Sequence, residues 1–253
     1  MIAGVVIPAA GLGTRLRPLT DTCPKEMLPV GGRPLIAASL LEVVAARVER
    51  AMVVVSPGKE SLREWLTERA PASLDLRFAV QAEARGVLDA VDRGARLLPP
   101  GPYAVLYPDY VHVPDQRGLA ELLRHADPAR GSTFAMLRMT RERASRFGAT
   151  ARVTLAGERE GARTITHVEA GQSPREGAFH TLFAEVRGAA HLDALARGPL
   201  DDARGLGLLG DLAREGSLYG VELTGDVLDL GTRVGYEHAV ARFDAGARWR
   251  DAP

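Results

Sequence analysis

The chain has 253 residues, 46% hydrophobic and 25% charged, which suffices for one large domain with a full core. Its 32 basic and 32 acidic residues cancel and are interspersed, arguing against nucleic-acid or anionic-membrane partners. A single cysteine, Cys23, excludes an internal disulfide framework, and no apolar run has the length of a membrane span or the form of a leader, so a cytoplasmic setting is expected.

In chain order, apolar runs predict strands at 3–7, 51–55, 76–80, 103–106 and 133–138, with helical spacing at 34–48, 59–69, 86–97 and 116–126. Pro34 suits a first helical position, and Leu40, Leu41, Val44 and Val48 recur at helical spacing after it. Alternation of apolar strands with helices implies an α/β, Rossmann-like, mostly parallel sheet flanked by helices, with ligands at the C-terminal strand ends. The second half changes character. Runs at 151–155, 164–168 and 179–186 read as antiparallel strands covering that sheet, followed by helices at 189–196 and 208–214. Strands at 217–223 and 227–230 then lead into a helix from 232 to about 243. With no separating linker, 1–253 reads as one domain: a core at 1–140, a smaller strand-rich acceptor lobe at 141–230, and a C-terminal helix and tail at 231–253. The tail at 245–253 is expected either loose or packed on a partner.

The first strand runs into Gly11-Leu-Gly-Thr-Arg15 and then Pro24-Lys25, an apolar run stopping at a glycine-rich turn followed by cations. Backbone N–H groups at such a tip can close around phosphate oxygens, and Arg15 and Lys25 can neutralise a triphosphate. Of the 32 basic residues only Lys25 and Lys59 are lysines. A lysine, a compact charge on a flexible stem, placed inside the phosphate segment of so arginine-rich a chain points to a chemical requirement there. Two commoner glycine motifs do not apply. The third glycine of a dinucleotide fingerprint would fall at Leu16, with Pro18, Pro24 and Pro29 interrupting any helix, and no P-loop string occurs.

Gly11-Leu-Gly-Thr-Arg-Leu-Arg-Pro-Leu-Thr20 with Pro24-Lys-Glu-Met-Leu-Pro29 resembles the sugar-1-phosphate nucleotidyltransferases, and most of all the bacterial UTP–glucose-1-phosphate uridylyltransferases. The resemblance continues at Gly32-Arg-Pro-Leu-Ile36, Gln81 with Gly86, Tyr107-Pro-Asp109, Phe147-Gly148, Val227-Leu-Asp-Leu-Gly-Thr232 and Gly235-Tyr236. It implies transfer of NMP from an NTP, UTP or dTTP foremost, to a sugar 1-phosphate or related phosphate, with pyrophosphate released. It further implies nucleotide contacts from Ala10, Gly11, Gly13, Thr14, Arg15, Gln81 and Gly86, with Arg15 and Lys25 acting on the phosphates in transfer. Asp109 and Asp229 would jointly hold Mg²⁺, a hard cation that keeps positions open for phosphates and water. Family members are commonly homo-oligomers. No protein nucleophile is needed for in-line attack at the α-phosphorus.

On the acceptor side the pattern breaks. Where the family has Glu-Lys-Pro, this chain has Glu169-Ala170-Gly171, and a sugar-binding Glu is replaced near Leu206. A pocket glycine has become Thr181 or Leu182, and Leu88 stands where a small residue is usual. Gly148, Glu169 and Arg175 are the acceptor-binding candidates that remain. A hydroxyl facing Leu in place of Glu would lack a partner at a cost of about 1–3 kcal/mol, so ordinary glucose 1-phosphate fits poorly. Two alternatives stand beside sugar transfer: a catalytically silent nucleotide-binding homologue, and transfer to a non-sugar phosphate or phosphonate.

Overall fold

The computed structural model describes residues 1–197 and 202–250. From β1 (Val5–Ala9) the chain forms a short hairpin of β2 (Pro29–Val30) and β3 (Arg33–Pro34), then α1 (Ala37–Ala45), β4 (Arg50–Val55) and α2 (Glu60–Arg69). Next come β5 (Asp75–Val80), α3 (Val87–Ala95), β6 (Tyr103–Leu106), β7 (Tyr110–Val113) and α4 (Gly118–His125). The second half holds β8 (Ser132–Arg138), α5 (Arg141–Ala144), β9 (Thr150–Arg159), β10 (Ala162–Gln172) and β11 (Phe179–Arg187). It ends with α6 (Ala189–Leu195), α7 (Asp202–Arg214), β12 (Leu218–Glu222), β13 (Asp226–Asp229) and α8 (Arg233–Asp244).

Alternate residues of β1 feed two cores. Val5, Ile7 and Ala9 join Val53 and Val55 on one face, while Val6 packs with Val54 and with Ala90 and Val91 of α3 on the other. Strands buried on both faces carry continuous apolar runs, and the valine-rich β1 and β4 accordingly lie inside the sheet and not at its edge. The nine strands run in the order β5-β4-β1-β6-β11-β8-β12-β10-β9. The first four are parallel, β11 is antiparallel to both β6 and β8, and β12 is parallel to β8.

Three sequence expectations change. The segments at 151–155, 164–168 and 179–186 do not cover the sheet: as β9, β10 and β11 they lie within it. Leu182 to Arg187 are all buried, so β11 cannot lie as a one-sided lid. Pro34 does not begin a helix. It pairs with Pro29 in the β2–β3 hairpin, and the N–H groups of Leu35 and Ile36 donate to Leu28 and Glu26 carbonyls at 2.9 Å each, delaying α1 to Ala37. Helix α7 starts at Asp202, before the expected 208, because its early glycines hide the apolar period. There Gly205 lies so close to Leu88 that a Cβ would come within 2.3 Å of its Cδ1.

The tail packs on its own chain as far as Arg250. Trp249 lies 4.7 Å, ring to ring, from Phe243, and its indole N–H donates to the Val30 carbonyl at 2.9 Å. The last three residues of the tail, 251–253, fall outside the described residues. No described helix is long and apolar enough to cross a membrane.

One core group carries a pH signature. Glu42 of α1 is wholly buried and accepts from the Leu119 N–H at 2.8 Å, while its Oε1 has no hydrogen-bond partner among the described residues and lies 4.0 Å from His112 Nδ1. Burial pushes its carboxyl up to about 8, against the pull of the backbone hydrogen bond. The folded state thus keeps a proton that the unfolded state releases near 4.5, so this group lowers stability as the pH rises from there to about 8. Thermal unfolding followed across that range should show wild type losing stability relative to Glu42→Gln, by an amount on the order of a few kcal/mol at the alkaline end. Parallel pH curves for the two proteins would contradict this.

Candidate active site

The glycine turn sits at the C-terminal end of β1, the position that open parallel sheets give to ligands. Thr14–Leu16 forms one tight helical turn entered from Gly13, whose φ of 65° is the left-handed conformation glycine adopts without strain. A Cβ on Gly13 would meet Lys25 Cβ and Thr20 Cγ2 at 3.1 Å each, so the turn and the lysine segment are packed together. Lys25 opens a second short helical turn, Lys25–Met27.

Lys25 Nζ donates to Asp109 Oδ2 at 3.0 Å. Asp109 lies in the loop between β6 and β7, and β7 pairs with β13 in a separate antiparallel ribbon whose register sets Asp229 opposite Tyr110. The Leu230 N–H donates to the Asp109 carbonyl at 2.8 Å, locking the two acidic segments side by side. A Cβ on Gly231 would stand 2.9 Å from Asp109 Oδ2 and 3.2 Å from Asp229 Oδ1, so both carboxylates face one point. Asp229 accepts N–H bonds from Gly148 at 2.7 Å and Gly231 at 2.8 Å. A Cβ on Gly148 would lie 3.5 Å from both Arg15 Nη1 and Asp229 Oδ2, which brings the exposed Arg15 to the same centre.

The electrostatics follow from burial and charge order. Burial raises the Asp229 carboxyl above its usual range, the neighbouring Asp109 charge adds to this, and the two N–H bonds oppose it. Burial acts the same way on Asp109, but the Lys25 ammonium outweighs it and holds that carboxyl below its usual range. Lys25 is in turn held charged by Asp109 and Glu26 despite the cost of burial.

Sequence reasoning passed over the chain's other lysine. Lys59, at the start of α2, is 6% exposed and donates to the carbonyls of Ala9 at 2.6 Å and Gly11 at 2.8 Å, and to Glu26 Oε2 at 2.8 Å. Its three N–H groups are all engaged. In a trans peptide the N–H points opposite to the preceding carbonyl, so turning those two carbonyls onto Lys59 turns the N–H groups of Ala10 and Leu12 away from it. Lys59, Glu26, Lys25 and Asp109 thereby form an alternating series of charges from the glycine turn to the acidic pair. The scarcity of lysine that marked Lys25 applied equally to Lys59, which follows Gly58 just after β4, the strand beside β1.

Residues 4–166 match the family model described as "Nucleotidyl transferase". The chain belongs to that family. It is 28% identical over 175 residues to the UTP–glucose-1-phosphate uridylyltransferase of Bacillus subtilis, a match covering 61% of this chain and 60% of that protein. A 24% identical match to the Haemophilus ducreyi protein of the same name covers 94% of this chain and 92% of its relative. Among solved structures, a UDP-glucose pyrophosphorylase complexed with UDP-glucose superposes with a TM-score of 0.81 at 22% identity, over 97% of this chain and 99% of that one, a likeness of fold.

The remaining candidate residues do not all lie together. Gln81 is buried, and its amide NH₂ donates to the Gly86 carbonyl at 3.0 Å and to Asp89 Oδ2 at 2.8 Å, tying the 81–86 loop to the start of α3. Gly86 takes a φ of 92°, which favours glycine at that turn. Of the residues where the acceptor pattern breaks, Leu88, Thr181, Leu182 and Leu206 line a single cavity of about 550 Å³ together with Asp109 and Gly171, and Ala170 does not. Glu169 and Arg175 line a different surface cleft with Arg152 and Arg163, and Glu169 is ion-paired with Arg152. Of the three acceptor candidates, Gly148 stands at the acidic pair and the other two stand apart from it.

Proposed function

We propose that the protein transfers a nucleoside monophosphate from an NTP to a phosphorylated small-molecule acceptor and releases pyrophosphate. The observation that carries this reading is the convergence of the glycine turn, Arg15, Lys25, Asp109 and Asp229 on one centre at the sheet's C-terminal edge. The relatives named as uridylyltransferases support the reaction class.

Asp109 and Asp229 are the residues that would hold Mg²⁺. Two carboxylates facing one point offer the oxygen donors this cation accepts, and among the described residues no group of three or more His, Cys, Asp and Glu is arranged to hold a metal ion. When bound, the cation supplies charge neutralisation for the nucleotide phosphates. The chain's own groups do the rest. Backbone N–H groups of the glycine turn bind phosphate oxygens, Arg15 and Lys25 meet the charge that builds during in-line attack, and the fixed backbone around Gly148 positions the reacting ends. Gln81, with its NH₂ committed to two acceptors, keeps a carbonyl oxygen for a ligand donor. That oxygen suits the imide N–H of uracil or thymine, which favours UTP or dTTP.

Incubation with each NTP, MgCl₂ and a panel of phosphorylated acceptors, followed by pyrophosphate detection, tests the reading. UTP or dTTP should give pyrophosphate in an acceptor-dependent manner, and EDTA should abolish the signal. Absence of pyrophosphate with every NTP and acceptor, from folded protein, would overturn it.

A further inference from the structure

The cavity beside Asp109 has two kinds of wall. Leu88 of α3, Phe134 of β8, Leu182 of β11, and Leu206 and Leu209 of α7 give an apolar surface across most of it. Glu185, Arg187, Tyr107, Tyr110 and His191 supply the titratable groups besides Asp109. Most of these are already engaged. Arg187 lies against Glu185 Oε1 through Nε at 2.9 Å and Nη2 at 2.8 Å, and the Tyr107 hydroxyl donates to the same Oε1 at 3.3 Å. Arg187 also donates to the Tyr103 hydroxyl at 3.4 Å, and His191 Nδ1 is 3.0 Å from Ser132 Oγ. Burial drives His191 down to about 3, so it is neutral.

Among the described residues, the hydrogen bonds to the Glu185 carboxylate fall on Oε1, and Oε2 is not one of the sealed-off polar atoms, so it is the oxygen that opens onto the cavity. A carboxylate oxygen that faces a cavity and carries no protein donor is free to accept from a ligand. The backbone is bent locally here as well. The pairing of β11 with β8 shifts register between Thr181 and Glu185, and Phe183 within that bulge takes a φ of 69°, uncommon for a bulky residue. Bulges of this kind re-aim side chains beside ligand sites, and this one puts Thr181, Leu182 and Glu185 on the same cavity.

From this we infer that the acceptor is a phosphate ester with a largely aliphatic body and one hydrogen-bond donor, an ammonium or a hydroxyl, that is received by Glu185 Oε2. The inference rests on the transferase reading above. A polyhydroxylated ring would set several hydroxyls against leucines that offer no partner, whereas a hydrocarbon body matches them. Glu185 is a specificity-determining residue: the donor it receives separates the true acceptor from plain alkyl phosphates.

Aminobutyl phosphate, hydroxybutyl phosphate, pentyl phosphate and glucose 1-phosphate, each with UTP or dTTP and Mg²⁺, provide the test on wild-type protein. At least one of the two donor-bearing esters should exceed pentyl phosphate and glucose 1-phosphate in kcat/KM by roughly 100-fold. Which of them leads tells ammonium from hydroxyl. In Glu185→Gln the amide oxygen stays on Arg187 and the NH₂ takes the place of Oε2, a donor in place of an acceptor. Use of aminobutyl phosphate should then drop to the level of pentyl phosphate, with KM for the nucleotide unchanged. Preference for glucose 1-phosphate, or for pentyl phosphate over both donor-bearing esters, overturns the inference while leaving the transferase reading intact. An equal loss for all acceptors in Glu185→Gln overturns it too, because a structural ion pair would behave that way. Pyrophosphate from no phosphate ester at all overturns the transferase reading and this inference with it.

Discussion

Asp229→Asn should lower Mg²⁺-dependent turnover by about a thousandfold or more while the protein stays folded, and Asp109→Asn should do the same. The two substitutions have different structural costs, and this makes the pair informative. Asn at 229 keeps one oxygen for the N–H groups of Gly148 and Gly231 and turns an NH₂ toward the other, losing one hydrogen bond worth about 1–3 kcal/mol. Removing its charge recovers part of this, because burial already disfavours the ionised carboxyl. Asn at 109 instead leaves the Lys25 ammonium at most a neutral amide oxygen where it had a carboxylate at 3.0 Å, with Glu26 as its remaining negative neighbour. The measurements are kcat at saturating nucleotide, its dependence on Mg²⁺ concentration, and thermal unfolding without nucleotide. Both variants should require more Mg²⁺ and remain slow at saturation. Wild-type kcat in either variant would remove the acidic pair from the mechanism, and loss of activity that only tracks loss of folded protein would make its role structural.

How much of this was legible in the sequence depends on the range of the interaction concerned. The valine-rich interior strands β1 and β4 were readable because burial on both faces leaves a continuous apolar run. The turn at Gly11 and Gly13 was readable because a left-handed φ and a close packing approach each favour the residue without a side chain. The place of β11 was not, since an apolar run fits a covering strand and a central strand equally until its neighbours are known. Asp109 and Asp229 were paired only through the resemblance of the motifs around them, since nothing in the local patterning of either segment shows that they meet. Their meeting depends on the β7–β13 register, which joins segments more than a hundred residues apart. Leu88, Thr181, Leu182 and Leu206 were each noticed as departures from a pattern, and the structure turns them into one cavity wall. Glu185 drew no notice because a charged residue in an apolar strand shows which of its oxygens is left over only in three dimensions.

The other large effect is expected at Lys59. Lys59→Met removes an ammonium whose three hydrogen bonds end on the Ala9 and Gly11 carbonyls and on Glu26. It leaves Glu26, wholly buried and with Oε1 already unpartnered, without its ion-pair lysine. Removing one partner of a buried pair costs about 3–5 kcal/mol, so the single variant should unfold at markedly lower temperature, and low activity alone would say little. The double variant Lys59→Met/Glu26→Leu separates the two roles, since replacing both members of a buried pair with apolar groups is often close to neutral for stability. It should regain most of the lost melting temperature. Its nucleotide KM should nonetheless stay raised by at least about tenfold, the loss of roughly one well-placed phosphate hydrogen bond, because nothing then turns the Ala9 and Gly11 carbonyls inward and the following N–H groups outward. Recovery of both melting temperature and KM would mean that Lys59 only balances the Glu26 charge. Recovery of the first without the second would mean that the glycine turn binds phosphate through an orientation this lysine imposes.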